Sequence, residues 1–269
     1  MIVLLFFFTG CTLNKLIVGE FYLDQKKYNK GHQHFQKKLE KNENDSYSNY
    51  YMGRFLLAKK QNKKALQYFK RAVHLTQNSA SYYSWLGVAH STQKEIKDER
   101  NAYLKALSID KKHLQSLIYL AHNYYENKEY EPAYNYYNKS LKVDPYNKIV
   151  LFNRAMSLKK LKRIPEEKIA WKEYLDYYPA GILSQQAVSY SNVIGSFDYV
   201  NYIIGKKTIT LKQIRFNAFT SKINYDSYSS LDLLGKILTK KKYLSVHIVV
   251  YQQNNKNLAK AKAKAIKTY

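Results

Sequence analysis

A single cysteine, Cys11, in 269 residues rules out an internal disulfide, and no Cys/His spacing offers a structural zinc site. Four prolines and nine glycines are too few for a many-turned β protein, which favours long helices. Acidic residues are scarce, 20 against 45 lysines and arginines, so the formal net charge is +25. That excess favours anionic partners, although abundant Lys, Asn, Tyr and Ile are also what a very AT-rich coding sequence produces. No Gly-rich phosphate loop, nucleophile elbow or metal triad is present. Catalysis, cofactors and metal ligands are therefore not expected. What the chain does have is apolar bulk, 45% hydrophobic and 15% aromatic, which is enough for a sizeable core and argues against wholesale disorder.

From residue 12 onward the sequence repeats. Gly19, Gly53, Gly87, Ala121 and Ala155 fall 34 residues apart, and sixteen residues after each stands an aromatic: Phe35, Phe69, Tyr103, Tyr137 and Trp171. Small residues recur between them at Gly31, Ala65 and Ala133, with Glu99 and Glu167 breaking the series. Ala72, Ala106 and Ser140 follow three after their aromatics, and Pro145 and Pro179 close the last two units. Two helices can approach closely only where one carries Gly or Ala, and a large ring then fills the gap to the neighbour. Such units bury their apolar faces on one another and need several copies for stability.

This pattern resembles the tetratricopeptide repeat (TPR), with five repeats over residues 12–181. The resemblance implies a protein-binding groove lined by the first helix of each repeat. Carried onto this chain, the groove positions are Tyr47, Tyr50 and Arg54; Ser81, Ser84 and Val88; Gln115, Ile118, His122 and Tyr125; and Ile149, Phe152, Met156 and Lys159. Aromatics that keep packing phase argue against a nucleic-acid platform. No nucleic-acid partner is expected.

The first residues, MIVLLFFFTGC, contain no charge. Ile2 to Phe8 is too short to span a bilayer, which needs about 20 residues, but suits the apolar core of a secretory signal. The run Phe8-Thr9-Gly10-Cys11 resembles a bacterial lipobox, with Phe8 where Leu is usual and no Lys or Arg before the apolar stretch. It implies a signal peptide over residues 1–11, lipid on Cys11, and an outer-membrane protein facing the periplasm.

Residues 182–207 are expected to hold a capping helix and a connector. In residues 208–269 the texture changes to β-α-β-α: a strand around Ile214 and Phe216, a helix with Leu231, Leu234, Ile237 and Leu238, the strand LSVHIVVY, and a helix capped by Asn255 or Asn257. Phe216, Ile223 and a following Ser227 or Ser229, then Asn255, Leu258, Ala259, Lys262 and Ala263, resemble the OmpA-like peptidoglycan-binding domain in shortened form. That family's aspartate has no counterpart, since no Asp or Glu follows Asp232, and Lys262 stands where it has arginine. The resemblance implies weak, salt-sensitive wall contact through Asn255 and Lys262, with Lys262 flanking an apolar stripe of Leu258, Ala261, Ala265 and Tyr269. The sequence thus reads as mainly α, a TPR α-solenoid followed by a small α+β domain. Functionally it reads as an envelope scaffold for an unknown protein or peptide, or as a TPR adaptor whose C-terminal domain is purely structural.

Overall fold

The computed structural model describes residues 18–204 and 207–269, so Cys11 lies outside the described residues. The chain divides into two compact units, residues 1–145 and 146–269. In the first, a helical segment over 18–24 (α1) is followed by α2 (Tyr28–Lys41), α3 (Ser46–Ala58), α4 (Asn62–Leu75), α5 (Ala80–Thr92), α6 (Ile96–Ile109), α7 (Leu114–Glu126) and α8 (Tyr130–Leu141). From α2 to α8 each helix packs on the next.

Both ends of these helices keep the 34-residue period. The first helix of a repeat begins after a polar residue whose side chain accepts a backbone N–H: Ser79 from Tyr82, His113 from Ser116, and Asn147 from Val150. Asp45 holds the same position before α3 but accepts from the Ser48 hydroxyl and not from a backbone N–H, so it is not one of these caps. These caps satisfy donors that a helix start leaves unpaired. The first helix ends at an exposed lysine with left-handed backbone: Lys26, Lys60, Lys94, Lys128 and Lys162, with φ between 53° and 64°. Around Lys60, the Gln61 N–H donates to the Leu56 carbonyl at 2.8 Å and the Lys60 N–H to Leu57 at 2.9 Å. That is the Schellman closure, in which glycine is the preferred residue. Lys60→Gly is therefore expected to raise stability by about 0.5–1 kcal/mol, the left-handed penalty of a side chain less the entropy glycine loses. A thermal melt in which this variant unfolds earlier than wild type would show the turn to be unstrained.

The small and large residues of the repeat meet as their spacing requires. A Cβ placed on Gly53 would lie 2.8–2.9 Å from three atoms of the Phe69 ring, and one on Gly87 would run into Tyr103. Phe35, Phe69, Tyr137 and Trp171 are fully buried, and Tyr103 nearly so. Glu99 and Glu167, which interrupt the small-residue series, are accommodated by partners one turn on. Glu167 is buried and accepts from Trp171 Nε1 at 3.0 Å. Burial pushes the Glu99 carboxyl up, opposed by hydrogen bonds from Asn123 and Tyr103.

The second unit contains α9 (Lys148–Lys160), α10 (Ile164–Tyr177) and α11 (Ile182–Val193), which pack in series. An antiparallel hairpin follows, β1 (Tyr199–Ile204) with β2 (Lys207–Lys212), in the register Val200↔Leu211 and Tyr202↔Ile209. It docks on α11 through Asn201 Nδ2 donating to the Gln185 carbonyl and Gln185 Nε2 donating to the Thr208 carbonyl. A 3₁₀ turn at Tyr225–Ser227 leads into α12 (Tyr228–Lys240), and α13 (Lys256–Thr268) closes the chain.

This arrangement differs from the expected β-α-β-α order. The strand foreseen around Ile214 ends at Lys212, and Phe216 pairs with Ile223 only in an isolated bridge. Tyr199–Ile204, placed in the connector by the sequence, takes the edge of β2. The segment LSVHIVVY forms no strand. The hairpin closes a very short loop and its partner is local. A strand at 244–251 would need an edge brought from much further along the chain, and loop-closure cost favours the nearer pairing. No OmpA-like sheet is present among the described residues.

Candidate functional site

The first helices of the repeats lie side by side, with α3 touching α5 and α5 touching α7. Positions 47, 50 and 54 fall on one face of α3, because residues three and four apart are neighbours on a helix surface. On that face the Arg54 guanidinium forms an ion pair with Glu20 Oε1 of α1 and lies over three rings. It is 4.5 Å from the Trp85 centroid, 5.6 Å from Tyr50 and 5.5 Å from Tyr51. Tyr51 Oη donates to the same Glu20 oxygen at 2.8 Å. Tyr50 stacks on Tyr82 of α5 with centroids 4.6 Å apart, and Tyr47 lies 4.7 Å from Tyr51.

The result is a fixed cation set in a wall of rings. Burial pushes the Tyr47 phenol up to about 12 and raises Tyr50 and Tyr51 further, so all three stay neutral at physiological pH. Burial opposes the Arg54 charge, but the oxygens of Tyr50 and Glu20 outweigh it and hold its pKa above the ordinary value. The partly exposed rings of Tyr47, Tyr82 and Trp85 beside a largely desolvated guanidinium can hold apolar and aromatic side chains, and the cation gives orientation to anything acidic.

The other expected positions separate into packing and surface. Tyr50 and Ser84 are buried, and Phe152 is buried edge-on to Trp171 at 5.2 Å and Tyr174 at 5.5 Å. Val88, Gln115, Ile118, His122, Tyr125, Met156 and Lys159 are half-buried, while Ser81 and Ile149 are exposed. His122 lies between Tyr119 and Tyr137, where burial lowers its pKa. In the second unit Lys159 Nζ sits 3.9 Å from the Tyr190 ring centroid.

Glu20, Tyr82 and Trp85 were not singled out by the sequence. The period could have located two of them, since Glu20 is 34 residues before Arg54 and Trp85 is 34 after Tyr51. Of the C-terminal candidates, Asn255 Oδ1 caps α13 by accepting from the Leu258 N–H at 2.8 Å, and Lys262 Nζ donates to Gln252 Oε1 at 2.7 Å.

Ser81 is tied to the start of α7, its hydroxyl 3.3 Å from His113 Nε2. A backbone N–H only donates, so His113 Nδ1 must accept from Ser116 and the imidazole must be neutral. Burial lowers the His113 pKa, with Asp110 acting in the opposite direction. A depressed folded-state pKa means this cap is fully present above the unfolded value of about 6.5 and is lost as pH falls through the folded pKa. His113→Asn keeps an acceptor that does not titrate, so its melting temperature should fall less than wild type's between pH 7 and pH 5. Parallel pH profiles would remove His113 from the account.

Among the described residues, His90, Glu95 and Asp98 bring ligand-type atoms within 4.8 Å of one another. The 2.5 Å His90–Glu95 hydrogen bond already joins the end of α5 to the start of α6. No helix among the described residues is long and apolar enough to cross a membrane.

No protein-family model matches the sequence, and no curated protein matches it either. Solved TPR structures do. MamA aligns at 18% identity with a TM-score of 0.55, covering 59% of this chain and 93% of its own. PilF of Pseudomonas aeruginosa gives 15% and 0.59 over 67% and 85%. YrrB, described as a TPR protein with an unusual peptide-binding site, gives 13% and 0.54 over 64% and 88%. At these identities the likeness establishes the fold: the helical hairpins of this chain are of the TPR type.

Proposed function

We propose that this protein is an interaction scaffold that captures a segment of a partner protein on the face shared by α1, α3, α5 and α7. The observation that carries the reading is the Arg54 cluster, in which a partly desolvated guanidinium is held by Glu20, Tyr51 and Trp85 beside the partly exposed rings of Tyr47 and Tyr82. Aromatic and arginine side chains of this kind dominate binding energy at protein interfaces. The peptide-binding site named for YrrB supports the same use of the fold.

The scaffold is proposed to be held at the outer membrane, facing the periplasm, by lipid on Cys11, on the strength of the lipobox-like Phe8–Cys11 run. Asn255 and Lys262, expected at a wall contact, are engaged within their own unit, and the reading rests on the groove instead.

A photo-crosslinking amino acid placed in turn at Val88, Gln115, Lys70 and Lys105 tests the groove in cells. Adducts to one partner are expected from Val88 and Gln115 and not from exposed Lys70 and Lys105 on the second helices. Equal yields from all four positions would refute a groove-specific partner. Cys11→Ala should move the protein out of the membrane fraction, and unchanged partition would remove the lipid anchor from the proposal.

A further inference from the structure

In the second unit the hairpin, α12, the segment 244–251 and α13 enclose a cleft of about 1380 Å³. Its walls are apolar, including Leu211, Phe216, Leu234, Leu238, Ile248 and Ile266. Pockets for ordinary small molecules occupy about 300–1000 Å³ and converge a few polar groups on the ligand. This cleft is larger, and its wall is mainly apolar although lysines and other polar side chains also line it. Such a space suits a long flexible hydrocarbon and not a polar metabolite.

Its charge is mostly of one sign. Lys212, Lys236, Lys240, Lys262 and Lys267 line the cleft against a single acid, Asp232, which accepts from Tyr269 Oη at 2.6 Å. Lys262 is the candidate among these cations, since Lys212 is ion-paired with Asp176 and the other three are exposed. It is half-buried, lies 5.1 Å from the Phe216 ring centroid and is hydrogen-bonded to the neutral amide of Gln252. No carboxylate pairs with it among the described residues. An apolar body under a partly desolvated ammonium is complementary to an anionic amphiphile. We infer that the cleft binds one long-chain fatty acid, its chain along the Leu234–Leu238 wall and its carboxylate on Lys262. This site lies wholly in the second unit, so its failure would leave the partner-binding reading of α1–α7 untouched.

The test is a fluorescence titration of the full chain with cis-parinaric acid, followed by competition. Saturable binding near one per chain is expected, displaced by palmitate and displaced about tenfold more weakly by methyl palmitate, which has no charged head. Lys262→Gln should weaken parinarate binding about five- to tenfold, while Lys264→Gln, at an exposed position of α13, should leave it unchanged. Leu234→Arg should abolish binding with an unaltered circular dichroism spectrum. No saturable binding, or equal competition by acid and ester with no effect of Lys262→Gln, would overturn the inference. So would sedimentation showing a dimer that Leu234→Arg dissolves in the absence of parinarate binding, since the cleft would then seat a second copy. Association with anionic vesicles but not with monomeric fatty acid would overturn it as well.

Discussion

Gly53→Leu is expected to destabilise the first unit by several kcal/mol and to remove its cooperative melt. A single added carbon already meets the Phe69 ring at 2.8–2.9 Å. Phe69 is fully buried in a cluster that includes Phe55, Leu56, Ala65 and Leu86, so the ring has nowhere to go. Gly53→Ala is the more discriminating form of the experiment. On propensity alone, alanine in mid-helix should stabilise by about 0.5–1 kcal/mol. Overpacking a tight contact costs about 1–3 kcal/mol, so a net loss is expected. A gain would show that α3 and α4 do not cross at this glycine, and that the register of the repeats is misplaced.

Trp171→Ala should be the second large loss, about 3–5 kcal/mol for removing a fully buried indole. Its neighbour gives a sharper expectation. Glu167 occupies the position held by Ala65 and Ala133 in other repeats, so the repeat pattern alone predicts that Glu167→Ala would be harmless. The structure predicts otherwise, because Glu167 accepts the only hydrogen bond the indole can donate. Leaving that buried donor unpaired costs about 1–3 kcal/mol. Trp171→Phe should therefore be less damaging in the Glu167→Ala background than in wild type, with a coupling of about 1 kcal/mol by denaturant melts. Strictly additive losses would show that the two side chains act independently.

These two sites mark how far the sequence could be read. The small and aromatic positions are spaced by geometry, since a close helix crossing admits Gly or Ala and the opposing gap needs a ring. That spacing survives as a visible period. Glu167 looked like a break because its compensation is a pair, Glu with Trp one turn on, and a position-by-position pattern does not see pairs. The turn lysines and the N-cap positions 45, 79, 113 and 147 also keep the period, but the lysines and His113 hide it. Lysine is not the residue a left-handed turn favours, and histidine is not among the usual caps.

On the face shared by α3 and α5, Tyr47, Tyr50 and Arg54 are the positions that the repeat register supplies to the proposed site. Glu20 and Trp85, which orient Arg54, were missed although Glu20 shares the register of Arg54 and Trp85 that of Tyr51. The C-terminal quarter was the least legible. Runs rich in β-branched and aromatic residues make Tyr199–Ile204 and Leu244–Tyr251 alike strand-capable. Which of them pairs depends on the edge within reach, and that is a property of the folded chain.

The proposed partner-binding face is tested most directly by calorimetric titration of the crosslinked partner segment, made as a synthetic peptide, into the full chain. Wild type should bind one peptide, and Arg54→Gln should weaken it at least about tenfold. Val88→Lys on α5 should weaken it too, while Lys70→Gln on the outer surface of α4 should not. Unchanged affinity in both Arg54→Gln and Val88→Lys, with their melts intact, would contradict the account and place the partner elsewhere.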